Sequence, residues 1–288
     1  MSGTSTPWPI PPGLDTIEIE GYPLAVRQEG SGPPLLLLHG SLGDYRSWDA
    51  QVPAFAGSYR VIAPSLRHYY PEPWPGHGGD FSLARHADDV IALVAELGLD
   101  GMHIVGHSRG GAVALMVAMQ RPGIVHSLVL AEPRGLEDLL PDSPENRRMA
   151  AESDAIFAAL HRDLATGDAV LAARNFVEAF AGPGAWERRT DEQRQALLDN
   201  IRTGIDTGER PGLDSARVSE FQFPILPVVG ETGAMRYKIG FAAMRDANPR
   251  ISPVVSIPHA GHAMHRDNPD SFNDAVLGFL RGVDDERP

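Results

Sequence analysis

The stretch 102–113 constrains the fold of this 288-residue chain more than any other. A short apolar run, Met102-His103-Ile104-Val105, meets Gly106-His107-Ser108-Arg109-Gly110, and small apolar residues begin a helix at once. Glycines two positions either side of Ser108 complete a G-x-S-x-G pattern. That spacing lets a strand turn abruptly into a helix and leaves the serine hydroxyl at the tip of the bend. Glycine and serine are common, so the pattern gains its weight from the readable strand before it and the readable helix after it.

The same alternation runs through most of the chain. The run Pro34-Leu35-Leu36-Leu37-Leu38 does not alternate with polar residues, which marks a strand buried on both faces, as in a parallel sheet. Strands are expected over 16–20, 24–28, 34–38, 59–64, 102–106, 127–131, 224–230 and 253–257. Helices are expected over 88–97 with Ser82 as N-cap, 109–120, 237–247 and 269–280, followed by a polar tail. Between 135 and 219 the character changes to helical periodicity alone, at 146–161, 168–180 and 191–203. The reading is an α/β protein with a mostly parallel eight-stranded sheet flanked by helices. A core domain over 1–134 and 220–288 is interrupted after the sixth strand by a helical domain over 135–219, and residues 1–14 form a loose arm.

Composition narrows the partners. With 25 Lys and Arg against 38 Asp and Glu the formal charge is −13, and no basic cluster offers a nucleic-acid surface. The absence of cysteine excludes disulfides, thiol chemistry and cysteine-bound zinc. The first twenty residues lack a secretion signal's basic start and apolar run, and stretches such as 33–38 and 225–229 are too short to span a bilayer. The expectation is a cytoplasmic monomer or homodimer that meets a small-molecule substrate, without nucleic acid or membrane. His259, His262 and His265 recur at three-residue intervals but lack carboxylates at metal-site spacing, and Ser108 stands where a dinucleotide fingerprint needs glycine. Neither metal nor cofactor is expected.

In an open α/β sheet, functional groups gather at the carboxyl ends of the strands. There the chain carries His39, Ser65, Ser108 and Glu132. A serine hydroxyl needs a base beside it. His262, in the loop Pro258-His259-Ala260-Gly261-His262 after the last strand, is the candidate over His259, His265 and His107. The base needs an orienting acid. Glu132, at the end of an apolar strand and fixed by Pro133, is preferred, and Glu231 in Gly230-Glu231-Thr232-Gly233 is the alternative. A developing oxyanion needs preorganised donors. These are assigned to the backbone N–H groups of Arg109 and Ser41, with Leu42 next to Ser41 as the second choice and a substrate contact. The Arg109 side chain is placed either near substrate or in a salt bridge on its helix. Substrate contacts are further expected from His68 and Tyr69 in the aromatic, proline-rich stretch 67–75, and from Phe176, Phe180 and Trp186 in the helical insertion.

These features together resemble the α/β-hydrolase fold superfamily. The likeness is carried by His39-Gly40, Trp48, the elbow at Ser108, Pro122, Leu130-Ala131-Glu132-Pro133, Gly230-Glu231 and Gly261-His262, spread over nearly the whole chain. The helical insertion is similar to the cap of the epoxide hydrolase, haloalkane dehalogenase and meta-cleavage product hydrolase branch. The first two of those carry an aspartate nucleophile, so Ser108 implies acyl transfer on an ester or lactone instead. Many relatives place their acid where Gly233 stands. A glutamate after the strand that follows the nucleophile, together with Gly40-Ser41-Leu42-Gly43-Asp44, resembles the zearalenone lactonases. The resemblance implies a cofactor-independent serine hydrolase with Ser108, His262 and Glu132 as its triad. C–C bond hydrolysis or a lyase reaction, cofactor-free oxygenation of an aromatic or polyketide substrate, and a non-catalytic ligand-binding protein are the alternatives.

Overall fold

The computed structural model describes residues 7–205 and 208–286, so the first six residues of the expected arm lie outside the described residues. Eight strands form one sheet: β1 (Asp15–Ile19), β2 (Tyr22–Glu29), β3 (Pro34–Leu38), β4 (Arg60–Pro64), β5 (Met102–His107), β6 (Val125–Ala131), β7 (Ile225–Gly230) and β8 (Val255–Ile257). Their spatial order is β1-β2-β4-β3-β5-β6-β7-β8. The first two pairings, β1 with β2 and β2 with β4, are antiparallel, and every later one is parallel.

The helices are α1 (Val52–Phe55), α2 (Leu83–Glu96), α3 (Arg109–Gln120), α4 (Pro144–Leu164), α5 (Ala169–Ala181), α6 (Asp191–Asp199), α7 (Ser215–Glu220), α8 (Met235–Ala247), α9 (Met264–Asp267) and α10 (Pro269–Asp285). Ser82 caps α2, its hydroxyl accepting the Arg85 N–H at 3.0 Å. Among the described residues no helix is long and apolar enough to cross a membrane.

The unalternated strands follow from a sheet covered on both sides. Leu36 and Leu38 of β3, Ile104 of β5 and Leu128 and Leu130 of β6 join the layer that includes α2 and α3. Their chain neighbours Leu35, Leu37, Val105, Val129 and Ala131 point the other way, into a layer with Trp48, Phe55 and the α10 residues Phe272, Val276 and Leu280. Period-two geometry sends successive residues to opposite faces, and here both faces are core, so both positions must be apolar.

Register then fixes where the chemistry lies. Leu38 pairs with Gly106, Gly106 with Leu130, Ala131 with Val228 and Gly230 with Ile257, so five neighbouring strands end at one edge. Gly40, Ser108, Glu132, Glu231 and the 258–262 loop therefore share that edge.

Among the described residues the segment between β6 and β7 contains helices and no strand. Its apolar cluster includes Leu160, Ala172, Val177, Trp186 and Ile201, together with Leu42 from the loop after β3. A polar pin adds to this seat: the Asn200 amide donates to Asp44 at 2.6 Å and accepts the Tyr70 N–H at 2.8 Å. The expected single helix over 191–203 accordingly breaks at Asn200 into α6 and a short 3-10 turn, Ile201–Thr203. Sequence periodicity missed α7, whose six residues are too short for a repeat to show; Asp214 caps it through the Arg217 N–H at 2.8 Å. At the other end, α10 extends through residues expected to form the tail.

Buried histidines tie the sheet edge together as neutral rings. His39 donates from Nδ1 to the Gly40 carbonyl at 2.9 Å and accepts the Leu66 N–H at Nε2, 3.0 Å away. Burial lowers it from its ordinary 6.5 to about 4. Burial also holds His86, His107 and His265 well below 6.5. Below pH 6.5 the unfolded chain takes up protons that these folded rings refuse, so stability is complete above about 6.5 and is withdrawn as pH falls. His39 alone would withdraw on the order of 3 kcal/mol. The thermal midpoint should therefore fall progressively from pH 6.5 towards pH 4, and a midpoint flat across that window would contradict the neutral assignment.

Candidate active site

Ser108 sits between β5 and α3 with φ 52° and ψ −115°, outside the helix it precedes. Its N–H donates to the Ala131 carbonyl at 3.0 Å, and its carbonyl accepts the N–H groups of Gly111, Ala112 and Arg134 at 3.0–3.1 Å. Those bonds hold a backbone conformation that costs roughly 1–3 kcal/mol. Close approach explains the glycines. A Cβ at Gly110 would stand 2.1 Å from the Leu38 carbonyl oxygen, and one at Gly106 2.7 Å from Gly110 and Gly111 backbone atoms.

His262 is held from several sides. Its Nδ1 lies 2.7 Å from Glu132 Oε2. Phe180 of α5 stacks on the imidazole at 5.3 Å and Tyr237 of α8 at 5.8 Å. His107 donates from Nε2 to the His262 carbonyl at 2.8 Å, fixing the loop from below. With the Nδ1 proton engaged by a carboxylate, Nε2 is left as the basic nitrogen.

Glu132 is fully buried. Its backbone takes φ 43°, and its N–H donates to the Val228 carbonyl at 3.2 Å. Oε1 accepts the Gly230 N–H at 3.0 Å while Oε2 meets His262, so both carboxylate oxygens have a partner. A buried carboxylate persists only when paired and hydrogen-bonded in this way. The glycine at 233 belongs to the same arrangement: a Cβ there would stand 2.0 Å from Glu132 Oε1. The volume that a side chain at 233 would occupy is thus taken by the carboxylate arriving from β6.

Glu231 is placed differently. Its carboxylate accepts the His259 N–H at 2.8 Å, and its side chain is more than half exposed. It braces the turn rather than the imidazole.

Ser108 and His262 line one cavity with Gly40, Ser41, Leu42, Phe157, Phe176 and Phe180. Leu42 has φ 56°, and a Cβ on Gly40 would press on His107 Nδ1 at 2.8 Å and Ser108 Cβ at 3.1 Å. The loop after β3 therefore runs directly over the elbow, and the Arg109 N–H starts α3 beside it.

Other expected contacts lie elsewhere. The Arg109 side chain does not line the cavity. It is buried with its guanidinium 4.4 Å above the Phe81 ring and donates to the Phe81 carbonyl at 2.5 Å. His68 is turned into an aromatic cluster, stacked on Trp74 at 4.9 Å with Nδ1 2.9 Å from Glu72. Tyr69 is enclosed, 4.6 Å from the His39 ring, and does not line the cavity. Trp186 packs inside the helical segment, with the Arg194 guanidinium 5.7 Å from its ring.

Sequence reasoning missed Phe157, Tyr237, Arg189 and Arg266. Phe157 joins Phe176 and Phe180 only in three dimensions, where α4 packs on α5. The others reach the site by folding.

The fold has counterparts among known proteins. The chain belongs to the alpha/beta hydrolase family, whose model matches residues 35–275. An uncharacterized protein of Mycobacterium bovis is 36% identical over 132 residues, covering 44% of this chain and 36% of its own length. The dihydrolipoyllysine-residue acetyltransferase component of the acetoin cleaving system of Pseudomonas putida is 30% identical over 87% of this chain and 64% of its own length. The chain thus spans between about a third and two thirds of those curated relatives. Among solved structures, an epoxide hydrolase aligns with TM-score 0.76 at 24% identity, covering 94% of this chain and 99% of its own. A thermophilic esterase from Thermogutta terrifontis aligns with TM-score 0.74 at 24% identity, over 94% and 98%.

The Gly233 contact gives a direct test. Gly233→Ala forces the Glu132 carboxylate aside and should lower stability by about 1–3 kcal/mol, the usual cost of overpacking. In a Glu132→Ala background the same substitution should cost at least about 1 kcal/mol less, because the clashing group is gone. Chemical denaturation of the four proteins measures the coupling; additive effects would separate Gly233 from Glu132.

Proposed function

We propose that the protein is a cofactor-independent serine hydrolase acting on a carboxylic ester or lactone of a small, mainly apolar molecule. The observation that carries this reading is the 2.7 Å bond between His262 Nδ1 and the fully buried Glu132, on a ring that opens on the same cavity as Ser108. In this mechanism His262 Nε2 takes the Ser108 proton as the hydroxyl attacks the carbonyl carbon. Glu132 orients the ring and balances the imidazolium. The N–H groups of Arg109 and Ser41 receive the oxyanion. His262 then hands its proton to the leaving alcohol, and water releases the acyl group by the reverse sequence.

Aromatic rings from Phe157, Phe176 and Phe180 supply the apolar wall, so the helical segment acts as a cap over the serine. The serine nucleophile favours acyl transfer over the alkyl transfer of an epoxide hydrolase. The likeness to an esterase structure agrees with that choice without defining the substrate. A non-catalytic role loses its one supporting feature, since the acid missing at Gly233 is replaced by Glu132.

A fluorophosphonate probe should label the wild-type protein covalently and leave Ser108→Ala unlabelled. On short 4-nitrophenyl esters Ser108→Ala should lose turnover, and Glu132→Ala should lose about 10³–10⁴-fold in kcat. Equal labelling of wild type and Ser108→Ala would reject covalent catalysis at this serine.

A further inference from the structure

Two arginines line the cavity of Ser108 and His262, and among the described residues neither is in an ion pair. Arg189, from the turn before α6, and Arg266, in α9, both line the cavity that holds Ser108 and His262. Both also line an outer groove formed with Phe180, Thr232, Gly261 and Asp267. They therefore stand where the inner cavity meets the outer groove. Among the described residues neither guanidinium has a carboxylate within 4.0 Å. Arg266 donates to the Ser47 hydroxyl at 2.8 Å, and the Arg189 Nε is shielded from solvent with no hydrogen-bond partner.

The acids nearby are engaged elsewhere. Asp44 pairs with Arg46 at 2.6 Å, Asp49 with Arg27 at 2.7 Å, and the Asp267 carboxylate accepts the Gly261 N–H at 2.9 Å. Burial, and then Arg266, bring Arg189 from 12.5 down to about 10; burial also lowers Arg266. Both remain cationic at neutral pH. Asp44, Asp49 and Asp267 favour the Arg266 charge, and Asp267 that of Arg189, but among the described residues none pairs with either guanidinium within 4.0 Å, so two partly desolvated like charges keep capacity for a further anion. The outer groove carries Arg188 beside Arg189 and Arg266, against Asp267 and Glu231, and the Glu231 carboxylate is taken up by the His259 N–H at 2.8 Å.

We infer that Arg189 and Arg266, with Ser47, form a subsite for a carboxylate carried by the substrate, and that the preferred ester or lactone is acidic. The inference rests on the hydrolase reading above and names its substrate class. A guanidinium presents a planar fork that matches two carboxylate oxygens, and the water-poor setting makes such a bond strong and selective. The apolar wall would hold the chain between that carboxylate and the reacting carbonyl.

The test compares 4-nitrophenyl hydrogen glutarate, adipate and suberate with the methyl-ended pentanoate, hexanoate and octanoate esters. Wild type should favour at least one acid-ended ester at least tenfold in kcat/KM. Arg189→Gln and Arg266→Gln should each cut that preference at least tenfold, chiefly through KM. A merely structural arginine would lower both ester series alike. A preference absent in wild type, or unchanged in both variants, overturns the inference.

Binding separates this result from failure of the hydrolase reading. Calorimetry on Ser108→Ala should show monomethyl adipate binding at least tenfold more tightly than dimethyl adipate, with the difference lost in Ser108→Ala/Arg189→Gln. That outcome without ester turnover would retain the subsite and reject the hydrolase. Pentyl phosphate bound more than tenfold more tightly than hexanoate would overturn the carboxylate assignment.

Discussion

The contact between Glu132 and His262 organises the site because it joins two distant strand ends through a carboxylate that has no access to water. Glu132 leaves β6, His262 follows β8, and the Gly230 N–H of β7 satisfies the second oxygen. Three adjacent strand ends thus meet on one carboxylate. Its burial would be prohibitive if either oxygen were left unpaired. The same requirement reaches Gly233, where a methyl group would occupy the carboxylate's place.

The edge that holds this contact carries local backbone strain. Leu42, Ser108 and Glu132 all take positive φ, at 56°, 52° and 43°. Each lies immediately beyond or close beyond a buried parallel strand. Such conformations survive where surrounding bonds and packing over-determine them. The sheet supplies those constraints through register, and the glycines at 106 and 110 supply them through close approach. Neutral buried histidines complete the support, with His107 bonded to the His262 carbonyl and His39 to the Leu66 N–H. Rigidity at this edge keeps Ser108, His262 and the loop after β3 in mutual register.

The helical segment contributes a different kind of order. It brings three phenylalanines over the serine and presses Phe180 against the imidazole. It is pinned to the loops after β3 and β4 by Asn200, which bridges Asp44 and the Tyr70 backbone. Arg189 comes from this segment and Arg266 from the loop-and-helix that follows His262. The charge at the cavity mouth is consequently shared between the two parts of the chain. Their relative placement determines both the shape and the sign of what the serine faces.

The amino-acid sequence determined the sheet and its functional edge by itself, because doubly buried strands cannot hide their apolar runs and a serine elbow cannot do without its glycines. Ser108, His262 and Glu132 were legible as candidates for the same reason: each lies just beyond a recognisable strand. The choice between Glu132 and Glu231 was open in sequence, since both follow apolar strands; three-dimensional placement decided which carboxylate reaches the ring. Position in the chain did not decide which way the aromatic side chains face. His68 turns inward onto Trp74 and a Glu72 bond, Tyr69 packs between the His39 and Phe81 rings, and Trp186 joins the apolar cluster of the helical segment. Arg189 and Arg266 left no local signature, since an arginine's meaning depends on which groups folding places around it. Which carboxylates lie within reach of a guanidinium is a property of the folded neighbourhood, and only the tertiary structure decides it.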